Sequence, residues 1–192
     1  MNGVLAQRWR HATVRVAAAN DLSKIAELHA ASWRVAYRGI LPDAFLDGAL
    51  IDDRMARWSG MIDRMAPSDR LLIAESEGAL LGFIAAWTSE GLGCEGEFDL
   101  FIDNLHVRPD LRGQNLGEHL MRTVADTLDN TGEVCAYLRL LDGNEPAHRF
   151  YARLGGRDRD HRLVAIAGTT AGETRIVWDD FTNLSGRNSL YS

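Results

Sequence analysis

The chain has only two cysteines, Cys94 and Cys135, and they form no C-x-x-C pair. No disulfide framework is expected, and a reducing compartment fits best. The six histidines show no H-x-x-x-H spacing, and no His/Cys group has zinc-ligand spacing, so no metal is expected. Long apolar runs are missing as well. The longest, 79–87, is far too short to span a bilayer and contains Gly82. The opening stretch MNGVLAQRWRHATVRV lacks the apolar middle of a cleavable signal. A cytoplasmic protein without a membrane partner is the expectation. Basic charge is scarce: 21 Lys and Arg against 27 Asp and Glu leave a net charge of −6. That argues against nucleic acid as a partner and biases the surface toward cationic small molecules.

What is present is ordinary for a globular domain: 46% hydrophobic and 25% charged residues in 192, enough for one substantial core. TVRVAAA (13–19) reads as a strand. The stretch 20–39 reads as a helix with Leu22, Ile25, Leu28 and Ser32 on one face, ended by Gly39. Residues 40–65 read as one or two short helices, and 70–90 as a hairpin around SEG. A Gly-rich acidic loop (90–97) leads into a strand at 98–107, an amphipathic helix at 117–130 and a strand at 133–141. A short helix at 144–156 has Asn144 as its cap and Pro146 in the first turn. A second hairpin spans 162–181. The order predicts a single mixed α/β domain over 13–181. It has a mostly antiparallel sheet of six to seven strands, about four helices, and tails at 1–12 and 182–192. The unit 98–141 should carry two parallel strands.

The informative stretch is HVRPDLRGQNLG (106–117), which begins as a strand end and finishes as a helix start. The first helical N–H groups lack partners and sit at the positive end of the helix dipole, which makes an anion site. Gly113 and Gly117 allow close approach to the backbone, and Arg112 adds a forked cation. A pyrophosphate is the ligand such a loop suits. A P-loop is excluded, because Gly113 and Gly117 stand four apart and Glu118 follows instead of Lys. The dinucleotide pattern G-x-G-x-x-G is also absent.

Leu105-His106-Val107 followed by Arg112-Gly113-Gln114-Asn115-Leu116-Gly117 resembles the acetyl-CoA loop of the GNAT superfamily of N-acetyltransferases. NEPAHRFYARLG (144–155) resembles that family's later signature, and SWRVAYRGILPDAFLD (32–47) resembles the first helices of many bacterial members. The element order matches from about residue 13 to 181. Two departures stand out. Asn115 replaces a usual Gly, which Asn tolerates best among other residues. Gly156 replaces a usual aromatic residue.

The resemblance implies an enzyme that moves the acetyl group of acetyl-CoA to a primary amine. Leu105 and Val107 would pair with the pantetheine arm as an extra strand does. The amides of 112–118, including Glu118, would hold the pyrophosphate, with Asn144 on the arm and Tyr151 near the sulfur. A small cationic acceptor is expected. The alternatives are a protein α-amine or lysine, or a non-catalytic acyl-CoA-binding module. The late strands or the tail are where a homodimer would form.

An alkyl amine of pKa ~10.4 needs roughly 4–5 kcal/mol to expose its lone pair at pH 7, so a base is required. Asp103 is the candidate, placed by strand alternation with Asp99 on the face opposite Asn104 and His106. His106 is an alternative. The version with a Glu five residues before Asn144 is excluded, since that position is Arg139. Tyr151 is the expected general acid. Trp33, Tyr37 and Phe45 are expected as aromatic walls of the acceptor pocket. Glu90, Glu95, Glu97 and Asp99 form an acidic stretch that would either be solvated or draw in a cationic amine.

Overall fold

The computed structural model describes residues 11–128 and 132–186. Seven strands form one sheet: β1 (Thr13–Val16), β2 (Arg70–Ser76), β3 (Ala79–Thr88), β4 (Leu100–Val107), β5 (Ala136–Leu141), β6 (Arg157–Ile166) and β7 (Thr169–Trp178). Five helices flank it: α1 (Leu22–Ala36), α2 (Asp43–Leu46), α3 (Leu50–Ile62), α4 (Leu116–Asp126) and α5 (Glu145–Arg153). The sheet order is β1-β2-β3-β4-β5-β7-β6, antiparallel throughout except for β4 and β5. The expected mixed fold is observed, with the stretch 40–65 resolved into two helices.

Each face of the sheet carries its own core. On one side Leu116, Leu120, Met121 and Val124 of α4 pack on Leu100, Ile102 and Ile84. On the other, Ile25 and Leu28 of α1 and Trp58 of α3 pack on Ile73, Phe83 and Trp87. The alternation of β3 feeds both, as a two-sided buried strand must. Its turn with β2 is tight, with Glu77 and Gly78 both at positive φ, the geometry that keeps a two-residue hairpin in twist.

Three local features differ from expectation. The segment expected to be a tail from residue 182 is packed as far as Ser185. Leu184 joins the α4-side core, and the Ser185 hydroxyl bonds the Asp126 carboxylate. The rest of that tail, and the N-terminal one up to residue 10, lie outside the described residues. Gly156 is required where it stands: a Cβ there would come within 2.7 Å of Ile176 and 2.8 Å of Trp178. The Trp178 ring thus closes on Gly156 and leaves no room for an aromatic side chain.

Most consequential is a bulge in β4. Ala85 and Ala86 of β3 face Asn104 and Ile102, so Asp103 is an extra residue without a cross-strand partner. The bulge cancels alternation. Asp103 meets Trp87 and Arg57, and His106 meets Ser32 of α1. Both therefore point to the α1 and α3 side, and the expectation of opposite faces fails.

Candidate active site

β4 and β5 begin as parallel neighbours and then separate. Their register holds only at Leu100–Ala136 and Phe101–Tyr137. Beyond those pairs, β5 is bonded to β7 alone and β4 to β3 alone. The β4 backbone from Ile102 to Val107 therefore turns an unpaired edge into the wedge between the strands. Leu105 and Val107, which the family resemblance implies would pair with an extended ligand, lie on this edge.

At the tip of β4 the chain passes through a short 3-10 turn at Pro109–Leu111. It then reverses through two left-handed residues, Gly113 (φ 76°) and Asn115 (φ 67°). Leu116 is buried and pins the first turn of α4 to the core, while Gly117 has its open side toward Phe150. The first intrahelical bond of α4 is His119 N–H to the Asn115 carbonyl at 2.9 Å. The amides of 116–118 precede it and have no partner within the helix. Glu118 turns its carboxylate along the helix to Arg122, at 3.0 Å. Gln114 donates to the Asp110 carbonyl at 3.3 Å and stiffens the loop from within.

Arg112 is tied sideways. Its Nη2 donates to the Ser32 hydroxyl at 3.0 Å, and that hydroxyl lies 2.9 Å from His106 Nδ1. His106 Nε2 faces Asn104 Oδ1 at 3.3 Å. These partners assign the proton of the His106 ring to Nε2 and polarise the row from Arg112 to Asn104. His106 also stacks on His29, ring centroids 4.5 Å apart, and His29 Nδ1 accepts from Trp58 Nε1 at 3.1 Å. Burial, with Arg112 and Arg54 nearby, pushes the His106 pKa down to about 3. Burial drives His29 down as well, with the neighbouring His106 and arginines adding to the effect. Both rings are neutral at pH 7, and His106 serves as a packed link in the row.

On the far side of the wedge, Asn144 caps α5 through Ala147 N–H at 3.4 Å and meets the hydroxyl of Tyr37. Tyr151 is buried beside them. Burial, and to a lesser degree the phenol of Tyr37, raises its pKa above the ordinary tyrosine value. Trp33 packs edge-on to Tyr37 at 4.9 Å and carries the Arg54 guanidinium over its ring at 4.3 Å. The fold thus brings Trp33, Tyr37, Asn144 and Tyr151 together, residues spread over 119 positions of sequence.

A separate cleft of about 400 Å³ opens where β4 and β5 part, on the α3 side. Phe101, Asp103, Tyr137 and Trp87 form its floor, α3 gives Arg57 and Met61, and the loop after β3 gives Leu92 to Glu95. Trp33 and Tyr37 do not line it. The Asp103 Oδ2 accepts from Arg57 and, at 3.0 Å, from Trp87 Nε1, which leaves Oδ1 for a ligand. The wall 88–95 hangs on buried Asp69. Its carboxylate accepts from the amides of Ala66 (3.0 Å), Thr88 (2.9 Å) and Leu92 (3.1 Å).

Two carboxylates of the acidic stretch, Glu95 and Glu97, are paired with arginines of this chain. Glu95 is bound by Arg139 and Arg175 and approached by Arg162, and the Arg139 bond above all holds its carboxyl below the usual range. Glu97 pairs with Arg159, and Asp99 accepts from the Cys135 amide. Sequence reasoning missed Arg57, Arg64, Trp87 and Tyr137 in the cleft, Ser32 in the polar row, and Asp69. No spacing rule links α3 to the β4 bulge. Among the described residues no group of three or more His, Cys, Asp or Glu is placed to hold a metal, and no helix is long and apolar enough to cross a membrane.

Comparison with known proteins fits this geometry. The family model described as Acetyltransferase (GNAT) family matches residues 22–156. The uncharacterized N-acetyltransferase YuaI of Bacillus subtilis is 25% identical over 175 residues, covering 90% of this chain and 95% of its own length. Thialysine N-epsilon-acetyltransferase of Bos taurus is 34% identical over 62 residues, 31% of this chain and 35% of that protein. The structure of PaiA N-acetyltransferase from Thermoplasma acidophilum in complex with coenzyme A superposes with a TM-score of 0.68 at 17% identity, covering 87% of this chain and 99% of that one. The chain belongs to the GNAT family of acetyltransferases.

Proposed function

We propose that this chain transfers the acetyl group of acetyl-CoA to the primary amine of a small molecule that enters as a cation. The observation that supports this most is the wedge. One unpaired β4 edge leads from the left-handed loop at Gly113 and Asn115 directly to the cleft beside Asp103. The residues present fit the co-substrate. The free amides of 116–118, with Gly113 and Arg112 beside them, suit a diphosphate. The β4 edge at Leu105 and Val107 suits the amide-bearing arm. Asn144 flanks that arm, and Tyr151 stands near the sulfur.

In this reading Asp103 uses its available oxygen to hold the acceptor ammonium and to take its proton, directly or through water. The amine nitrogen then attacks the thioester carbon, the carbon–sulfur bond breaks, and the sulfur leaves as thiolate, which takes up the second proton that the acylated nitrogen sheds. A β4 backbone N–H in the wedge donates to the oxygen as its charge develops. Tyr151 donates a hydrogen bond to the departing sulfur. Its raised pKa makes full proton transfer to a thiolate of pKa ~8.5 more uphill than for an ordinary tyrosine, so a shared hydrogen bond is its role.

The small-molecule acceptor is supported by the size of the cleft. The bovine relative acts, by its name, on thialysine, which is also a small amine. Thiol release from acetyl-CoA against a panel of small amines and amine-terminated peptides tests the reading. Release with small amines supports it. Release with peptides alone moves the acceptor to proteins, and coenzyme A binding without any release leaves an acyl-CoA-binding module.

A further inference from the structure

We propose that the acceptor carries a carboxylate as well as its amine, and that Arg64 is the residue that selects it. This rests on the cleft being the acceptor site, as argued above. Four charged side chains line that cleft: Arg57, Arg64, Asp103 and Glu95. Three of them are already satisfied within the protein. Arg57 is bound to Asp103, and Glu95 is bound by Arg139 and Arg175 with Arg162 close by. Arg64 is different. Its Nε donates to the Gly60 carbonyl at 2.7 Å, which fixes the guanidinium at the cleft rim. It forms no ion pair among the described residues.

The charge of the lining is thus not acidic, despite the net charge of the chain. Arg57 offsets the charge of Asp103 through Oδ2 and leaves Oδ1 to accept, Glu95 is neutralised from inside, and the cation left over is Arg64. A simple diamine would meet Asp103 at one end and an unanswered guanidinium at the other, an arrangement of like charges that costs binding. A molecule with an ammonium at Asp103 and a carboxylate at Arg64 answers both. The forked guanidinium suits a planar carboxylate in particular. Between these ends Met61, Leu92, Phe101 and Tyr137 offer an apolar floor, so the connecting chain is an apolar stem.

The test is kcat/KM for pairs of acceptors that differ only in the carboxylate: L-lysine with cadaverine, L-ornithine with putrescine, L-phenylalanine with phenethylamine. Wild type, Arg64→Gln and Arg64→Lys are compared at saturating acetyl-CoA. The wild type should favour the carboxylated member of at least one pair by roughly 10- to 100-fold, the worth of one charge-assisted contact. Arg64→Gln should abolish that preference by lowering the carboxylated acceptor alone, and Arg64→Lys should restore part of it. The KM for acetyl-CoA should not move in either variant. A wild type that prefers the decarboxylated amines overturns the inference, as does an Arg64→Gln loss equal for both members. Both of those results leave the transferase reading standing. Absence of thiol release with every amine overturns that reading and the inference with it.

Discussion

Arg112 on the loop before α4 and Ser32 on α1 are joined by a hydrogen bond of 3.0 Å, and Ser32 passes the contact on to His106 of β4 at 2.9 Å. The loop proposed to hold a diphosphate is thereby oriented by a residue 80 positions earlier. Replacing Ser32 with Ala removes one donor from His106 and the guide from Arg112. A single such bond is worth about 1 kcal/mol, or roughly fivefold. Ser32→Ala should raise the KM for acetyl-CoA by about that factor with kcat within twofold, measured by initial rates. An unchanged KM removes Ser32 from the account of the loop.

Asn115 adopts φ 67° where only glycine is free of strain. Asn115→Gly should stabilise the protein by up to about 1 kcal/mol, and Asn115→Val should destabilise it by at least as much. Urea denaturation of both variants decides it. The same Val substitution should weaken acetyl-CoA, because the amides of 116–118 depend on this turn.

Buried neutral histidines make stability depend on pH. In the unfolded chain an imidazole takes up a proton below about pH 6.5. Folded His106 does so only near 3. Between those values the unfolded state binds more protons, so stability is full above pH 6.5 and falls as pH falls toward 3. The slope approaches about 1.4 kcal/mol per pH unit for that ring. His106→Gln should flatten the curve between pH 6.5 and 4.5 by that share. A variant with the wild-type slope contradicts the assignment.

Gly91 lies against the knot that holds the cleft wall. A Cβ there would stand 2.0 Å from Asp69 Oδ1, far inside contact distance. Gly91→Ala should displace loop 88–95 and raise the acceptor KM roughly tenfold or more, with the KM for acetyl-CoA unchanged. Equal changes in both constants would place the effect on the whole fold.

Asp103 is tested by the kinetics of Asp103→Asn, which should lower kcat by roughly 10²–10⁴ with the KM for acetyl-CoA unchanged. A kcat within tenfold of wild type rejects Asp103 as the proton acceptor.

The geometry of 106–117 was legible in the sequence because it is local: a strand end, two turn residues and a helix start are consecutive. The Asn144 cap of α5 was legible for the same reason. The β4 bulge was not. One inserted strand residue leaves no mark in an apolar pattern, yet it brought His106 to the same face of the sheet as Asp103. The cleft was missed because Arg57 belongs to α3, Arg64 to the turn after it and Tyr137 to β5, joined only by packing. The acidic loop misled, since the arginines that neutralise Glu95 lie more than 40 residues away.

The amides before His119 and the open β4 edge are proposed to grip coenzyme A. Calorimetric titration of the protein with coenzyme A, beside the Gly113→Val variant, measures this directly. A single saturable site of micromolar affinity, weakened tenfold or more by Gly113→Val, is the expected result. Absence of binding in the wild type, or equal affinity in the variant, would contradict it.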